Sequence, residues 1–156
     1  FLIKVRDRTT DANDAVKTIR YVRQQMQERV AAAPRLRRLG AELDSAMARI
    51  EREIYQVKNQ SGQDPLNYPV RLNNRIAALA GVAGSGPYRP TAQSEVVFTE
   101  LSAALQVQLT ALQKVWAEQL ERFNREAKKA KQEAIVPKAE EAPARPVVAM
   151  DDDMMG

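Results

Sequence analysis

FLIKVRDRTTDANDAVKTIRYVRQQMQERVAAA, residues 1–33, contains neither Gly nor Pro, and its apolar residues fall at helical intervals. Val5, Thr9, Ala12, Val16, Ile19, Met26 and Val30 recur at spacings of three, four or seven, and Leu2, Ala15 and Val22 widen the stripe. Such a stripe is one buried face of an amphipathic helix. A continuous helix of this length reaches about 50 Å at ~1.5 Å per residue. The polar cluster Asp7–Asp11 offers an alternative, a break in which Asp11 caps a shorter helix; continuity is the preferred reading.

Working outward, Pro34 ends this helix or opens the next, where Pro suits the first turn. Leu36, Leu39, Leu43, Met47, Ile50, Ile54 and Val57 then form a second stripe, predicting a helix over 35–60. Gly40 weakens it by roughly 1 kcal/mol relative to Ala, or marks a later helix start. The short connection at Pro34 makes the two helices antiparallel neighbours. A loop follows at Ser61–Pro69, then a short helix over 70–80 with Leu72, Ile76 and Leu79 on one side. Gly81 and the run from Gly84 to Pro90 form a second loop. Thr91 is a good N-cap for the last helix, 92–131, whose stripe runs Phe98, Leu101, Leu105, Leu109, Leu112, Trp116, Leu120 and Phe123. Glu118/Arg122 and Glu121/Arg125 are i,i+4 pairs in the favourable order. Residues 132–156, punctuated by Pro137, Pro143 and Pro146 and ending MDDDMMG, read as a disordered or extended acidic tail. Residues 124–156 as a whole are expected to be either disordered alone or ordered only against another chain or a larger parent protein.

The fold class is therefore all-α: an elongated antiparallel bundle of three long helices and one short helix, occupying residues 1–131, with a tail at 132–156. None of the stripes is stable alone, so the helices must bury one another. The composition agrees. With 28% charged residues, 5% aromatic and six Gly in 156 residues, the chain suits long helices and supports one modest core. It has no Cys, which excludes disulfide and thiolate chemistry, and no His, which removes the commonest general base and transition-metal ligand. No apolar run approaches the ~20 residues of a membrane span. The first residue is Phe1, inside a helical pattern, which leads us to expect a piece of a longer protein.

The net charge of +4 is uneven. Residues 1–38 hold ten Lys/Arg against four Asp/Glu, and residues 39–156 hold fourteen against sixteen. Arg6, Arg8, Lys17, Arg20, Arg23 and Arg29 make the first helix basic, a face able to steer acidic partners. Asp7, Asp11 and Asp14 interleave with them and no recognition motif appears, so a solvated face is preferred over nucleic-acid binding.

One block stands apart from the helical repeats. EIYQVKNQSGQDPLNYPVRLNNRIAAL, residues 53–79, carries Tyr55, Gln56, Asn59, Gln60, Asp64, Pro65, Leu66, Asn67, Tyr68, Pro69, Arg71, Asn73 and Asn74. Its amides and hydroxyls offer donors and acceptors together, as sugar recognition needs, and Tyr55 and Tyr68 offer stacking faces. The alternative is structural. Asn59 and Gln60 would satisfy a helix C-terminus, Asn67 would cap a turn, and Arg71 would pair with Asp64. That reading is preferred, with Tyr55, Leu66 and Tyr68 packed against the bundle. A glycosidase-like carboxylate pair from Glu51, Glu53 and Asp64 is not favoured, because Glu51 and Glu53 point to different helix faces. Asp151–Asp153 lacks a fixed coordination shell, and Gly81–Gly86 lacks the Lys and hydroxyl residue of a phosphate loop.

Three segments carry a resemblance: YQVKNQSGQDPLNYPVRLNNRIAALAGV at 55–82, PTAQSEVVFTELSAALQVQL at 90–109 and DRTTDANDAVKTIR at 7–20. Together they resemble the C-terminal region of large bacterial sortilin-like proteins, whose neuraminidase-type (BNR) repeats fold as β-propellers and which often bear the label "glycosyl hydrolase". The resemblance implies a secreted or envelope location and a helical domain following a propeller. It implies no activity here, because the repeat's Ser-x-Asp-x-Gly-x-x-Trp pattern is missing and Trp116 sits in a helix. The reading is a non-catalytic structural or interaction domain. Its expected partners are a parent β-propeller or neighbouring subunits, with self-association open, nucleic acid not expected, and no cofactor or metal called for.

Overall fold

The computed structural model describes residues 1–55, 71–84 and 91–139, with the backbone alone for 82–84. The protein is all-α, and no strand occurs among the described residues. Helix α1 spans Leu2–Ala32 as one continuous helix of 31 residues, with no break at Asp7–Asp11. Thr9 sits on the apolar stripe because its hydroxyl donates to Val5 O at 2.8 Å, which hides the polar group within the helix itself. Ala33, the residue before Pro34, leaves the helical region at φ −137°, ψ 86°. A single 3₁₀ turn, Pro34–Leu36, reverses the chain into α2, Arg37–Ile54.

Gly40 lies inside α2 and is buried. A Cβ there would meet Met26 Sδ and Val30 Cγ2, each at 2.9 Å. The glycine therefore sets the close approach of α1 and α2 just beyond the hairpin turn, which explains why a poor helix former stands there.

The second helix stops at Ile54, short of the expected residue 60. Tyr55 is extended at φ −133°, ψ 136°, and residues 56–70 lie outside the described residues. The short helix α3, Leu72–Gly84, runs further than the expected 70–80. Gly81 is carried inside it at an exposed position that nothing crowds. Residues 85–90, expected as loop, lie outside the described residues. The last leg starts with α4, Ala92–Val115, capped as expected by Thr91, whose Oγ1 accepts from Ser94 N at 3.1 Å.

That leg is not a uniform α-helix. A π turn at Trp116–Leu120 separates α4 from α5, Glu121–Lys129. The buried residues explain it. Leu112, Val115, Leu120, Phe123 and Ala127 face the core, and the step from Val115 to Leu120 is five residues, too long for an α-helical stripe. One wider turn absorbs the extra residue and returns Phe123 and Ala127 to the core side. The expected ion pairs Glu118/Arg122 and Glu121/Arg125 are not among the pairs that form in the described residues. The first of them straddles this change of phase.

Direction follows from contacts along the legs. Phe1 meets Phe98 edge-on at 5.8 Å between ring centroids, and Arg8 reaches Ser102 and Gln106, so α1 and α4 run parallel. Helix α2 descends between them, antiparallel to both, and ends at Tyr55 beside Arg20 of α1. Helix α3 then packs on α1 and α4 and covers the part of α1 beyond the reach of α2. Val5, Ala12, Ile19, Val22, Leu36, Leu43, Met47, Ile54, Ile76, Leu105, Phe123 and Ala127 are fully excluded from solvent in one continuous core.

The expectation that residues 124–156 order only against another chain is corrected up to residue 139. After Lys129 the chain turns at Lys131, which has φ 61°. Lys131 N donates to Lys128 O at 3.0 Å and Gln132 N to Ala127 O at 2.8 Å, the Schellman pattern. Residues 132–139 then fold back over the bundle. The Asn124 side-chain amide bonds both backbone groups of Ile135, at 3.0 Å and 2.8 Å, and Ile135 is buried. Arg29 Nε donates to Glu133 O at 3.1 Å, and Lys138 lies 5.0 Å from the Tyr21 ring centroid. The reason is local: one apolar residue bracketed by an amide that satisfies its backbone can dock without a periodic stripe. Residues 140–156 lie outside the described residues.

Candidate functional site

The polar block enters the described structure only at its two ends. At the first end, Tyr55 is half-buried against the core, and the Arg20 guanidinium lies over its ring at 5.1 Å. Arg20 Nε stands 3.6 Å from Glu51 Oε2. Arg23 Nε donates to Asp44 Oδ1 at 2.7 Å, while its Nη1 reaches Glu51 Oε1 and Oε2 at 3.2 and 3.4 Å. Glu51, a buried carboxylate on α2, is thus held by two arginines of α1. Burial disfavours the charged Arg23 guanidinium. The Asp44 hydrogen bond and the field of Glu51 outweigh it, and the pKa is raised above the ordinary arginine value.

This cluster fixes the register of α1 against α2. Glu51 is one of the three carboxylates that the sequence offers there, with Glu53 and Asp64. Glu53 is exposed and lines a different surface, with Lys114 and Glu118, and Asp64 lies outside the described residues.

At the second end, Asn73 is buried in the first turn of α3, Arg71 is half-buried and Asn74 is exposed. Among the described residues, Arg71 Nε and Asn73 Oδ1 are buried atoms that find no hydrogen-bond partner, a donor and an acceptor beside the start of α3. Gln56, Asn59, Gln60, Asp64, Pro65, Leu66, Asn67, Tyr68 and Pro69 lie outside the described residues, and with them the expected Arg71–Asp64 pair and Asn67 cap.

The basic face of the first helix turns out to be largely engaged within the fold. Arg8 donates to Ser102 Oγ at 2.7 Å, Gln106 Oε1 at 3.0 Å and Asp11 Oδ2 at 3.2 Å, tying α1 to α4. Arg20 and Arg23 hold Glu51, and Arg29 holds Glu133 O and Gln25. Between α1 and α4 runs a groove of about 820 Å³ that includes Thr18, Trp116 and Pro137.

Among the described residues, a further concentration of positive charge lies at the other end of the bundle. There the 3₁₀ turn and α2 present Arg35 and Arg38, and α5 faces them with Arg122, Arg125 and Lys129 around a concavity of about 390 Å³. One carboxylate shares it. Glu126 accepts from Lys129 Nζ at 3.0 Å, and that bond, helped by the nearby Arg35 and Arg125, holds its carboxyl below the usual range. This site is not legible in the sequence, because it joins residues almost ninety positions apart. The signal in the sequence is the run of Arg35, Arg37 and Arg38 beside Pro34.

Among the described residues, no group of three or more His, Cys, Asp or Glu comes together to hold a metal ion, and no helix is long and apolar enough to cross a membrane. Comparison with known proteins finds no family model, no curated protein and no solved structure that matches this chain.

Proposed function

We propose that this chain is a non-catalytic helical domain that packs, spaces or assembles a larger protein, in which it follows a secreted or envelope β-propeller. The observation that carries the reading is the inward anchoring of the polar block at both described ends. Tyr55 lies under Arg20 against the core, and Asn73 is buried at the start of α3. A block tied down in this way holds a bundle together, whereas a recognition loop presents its side chains outward. The resemblance of residues 7–20, 55–82 and 90–109 supplies the propeller context.

Thermal melts of Tyr55→Ala and Asn73→Ala test the packing role. Tyr55→Ala is expected to lose about 2 kcal/mol, roughly half the loss for a fully buried aromatic. Asn73→Ala is expected to lose about 1 kcal/mol with the buried packing of its side chain in the first turn of α3. Unchanged melts in both variants, together with lost binding to a panel of oligosaccharides that the parent retains, would replace this reading with a glycan site. Parentage is tested separately by the coding sequence upstream of Phe1, where propeller repeats and a signal sequence are expected.

A further inference from the structure

We propose that the groove between the start of α2 and α5 is a docking surface for a short acidic peptide segment of a partner protein. The proposal gives the interaction-domain reading its partner chemistry and rests on it. Two antiparallel elements each present a pair of arginines three residues apart, Arg35 with Arg38 and Arg122 with Arg125, and Lys129 extends the second row by a turn. Glu126, already bonded to Lys129, is the one carboxylate among them. Five cations against one anion leave the lining at +4.

Arg35, Arg122 and Arg125 are exposed and form no ion pair among the described residues. Arg38 is 87% exposed, and its approach to Glu42 is 3.9 Å, beyond hydrogen-bond length. Like charges gathered around one concavity repel one another, so an anion seated between them is favoured. Guanidinium forks match carboxylates in paired geometry, and arginine clusters are a recurring means of reading acidic motifs.

The surroundings favour a short peptide over a nucleic acid. Among the described residues, no aromatic side chain on which a base would stack lines the groove, and half-buried Leu39 gives it an apolar contact instead. Further along the seam between α2 and the last leg, Glu53 and Glu118 interrupt the positive strip, so a long phosphate backbone would meet carboxylates.

Fluorescence anisotropy on the whole chain, with a labelled peptide of alternating Glu and Leu as probe, tests the proposal. Saturable binding is expected, weakening at least tenfold as salt rises from about 0.05 to about 0.5 M. The double variant Arg35→Glu/Arg122→Glu is expected to weaken it about tenfold or more, and Arg49→Glu, on the neighbouring groove, by less than about twofold. Should the charge reversal disturb folding, as read by circular dichroism, Arg35→Gln/Arg122→Gln gives the same comparison. Absence of saturable binding, or equal losses in the Arg49 variant, overturns the proposal.

Displacement of the peptide by a short DNA duplex that binds more tightly overturns it in favour of nucleic acid. The variant Asp151→Asn/Asp152→Asn/Asp153→Asn is expected to bind the probe as the parent does. A tightening of about tenfold would show that the chain's own acidic segment takes the groove, and would remove the partner. None of these results alters the melts of the Tyr55 and Asn73 variants, so the docking proposal and the packing role fail separately.

Discussion

At the scale of single residues, Glu51 shows how the bundle uses charge. Its carboxylate is buried, and the arginines that compensate it, Arg20 and Arg23, come from the neighbouring helix. Removing one member of a buried ion cluster is worse than never having built it, because the others remain desolvated without a partner. Glu51→Ala is therefore expected to destabilise the protein by about 2 kcal/mol, less than for a fully buried pair because Arg23 keeps partial access to water and Asp44 still holds it. Urea unfolding measures this, and a change below about 0.5 kcal/mol would show the cluster to be incidental. The raised Arg23 pKa makes the sign of any pH effect definite. A cation stabilised by folding loses that contribution only as pH rises through its folded pKa, above the ordinary arginine value, so this group adds no pH dependence in the neutral range. Lys131 is the opposite case, a residue at odds with its backbone. At φ 61° it occupies the left-handed position of a helix cap that glycine suits best. Lys131→Gly is expected to stabilise by about 0.5–1 kcal/mol, read as a rise in melting temperature; a fall would mean that the lysine makes a compensating contact. Neither feature was visible in the sequence. A helical stripe tells which residues face inward, but not which turn of one helix lies beside which turn of the next.

At the scale of elements, what the sequence made legible and what it hid separate by mechanism. Periodic burial was readable, so α1, α2 and α4 lie where their stripes put them, and Thr91 caps α4 as its side-chain chemistry demands. Departures from periodicity were not readable. The π turn at Trp116–Leu120 was hidden because the apparent four-residue step from Trp116 to Leu120 masked the true core path through Val115. Gly40 looked like a defect in α2, yet its missing side chain is the space that Met26 and Val30 occupy. Gly40→Val is expected to lose about 2 kcal/mol despite valine's better helix propensity, because the added methyls must displace both neighbours at once. The strap 132–139 was missed because Ile135 stands alone among Glu, Lys and Ala. What docks it is the Asn124 amide across the chain, a contact that composition cannot foretell. Hydrogen exchange measured residue by residue gives a direct check. The Ile135 amide is expected to be protected in the parent and to exchange freely in Asn124→Ala, and free exchange in both would leave the strap undocked.

At the scale of the whole molecule, the two through-going helices decide how it unfolds. Helix α1 and the α4–α5 leg run parallel along the full bundle, while the descending leg is divided between α2, which ends beside Arg20, and α3, which covers the remainder of α1. A bundle assembled from separate parts would show two transitions. Here each half is built on the same two helices, so loss of packing at one end deprives the other of its partners, and a single cooperative transition is expected. Ile76, fully buried on α3, is the sharpest probe of that coupling. Ile76→Ala removes core volume next to α1 and α4 and is expected to destabilise by about 2–4 kcal/mol. Trp116, the single tryptophan, reports from the junction of α4 with the π turn, outside α3. In urea titrations of the variant, its fluorescence and the far-ultraviolet helical signal are expected to fall together at a lower midpoint. If the helical signal instead lost an early fraction while Trp116 kept the parent midpoint, α3 would be an appendage that melts alone, and the Tyr55–Asn73 block would join two units instead of closing one core.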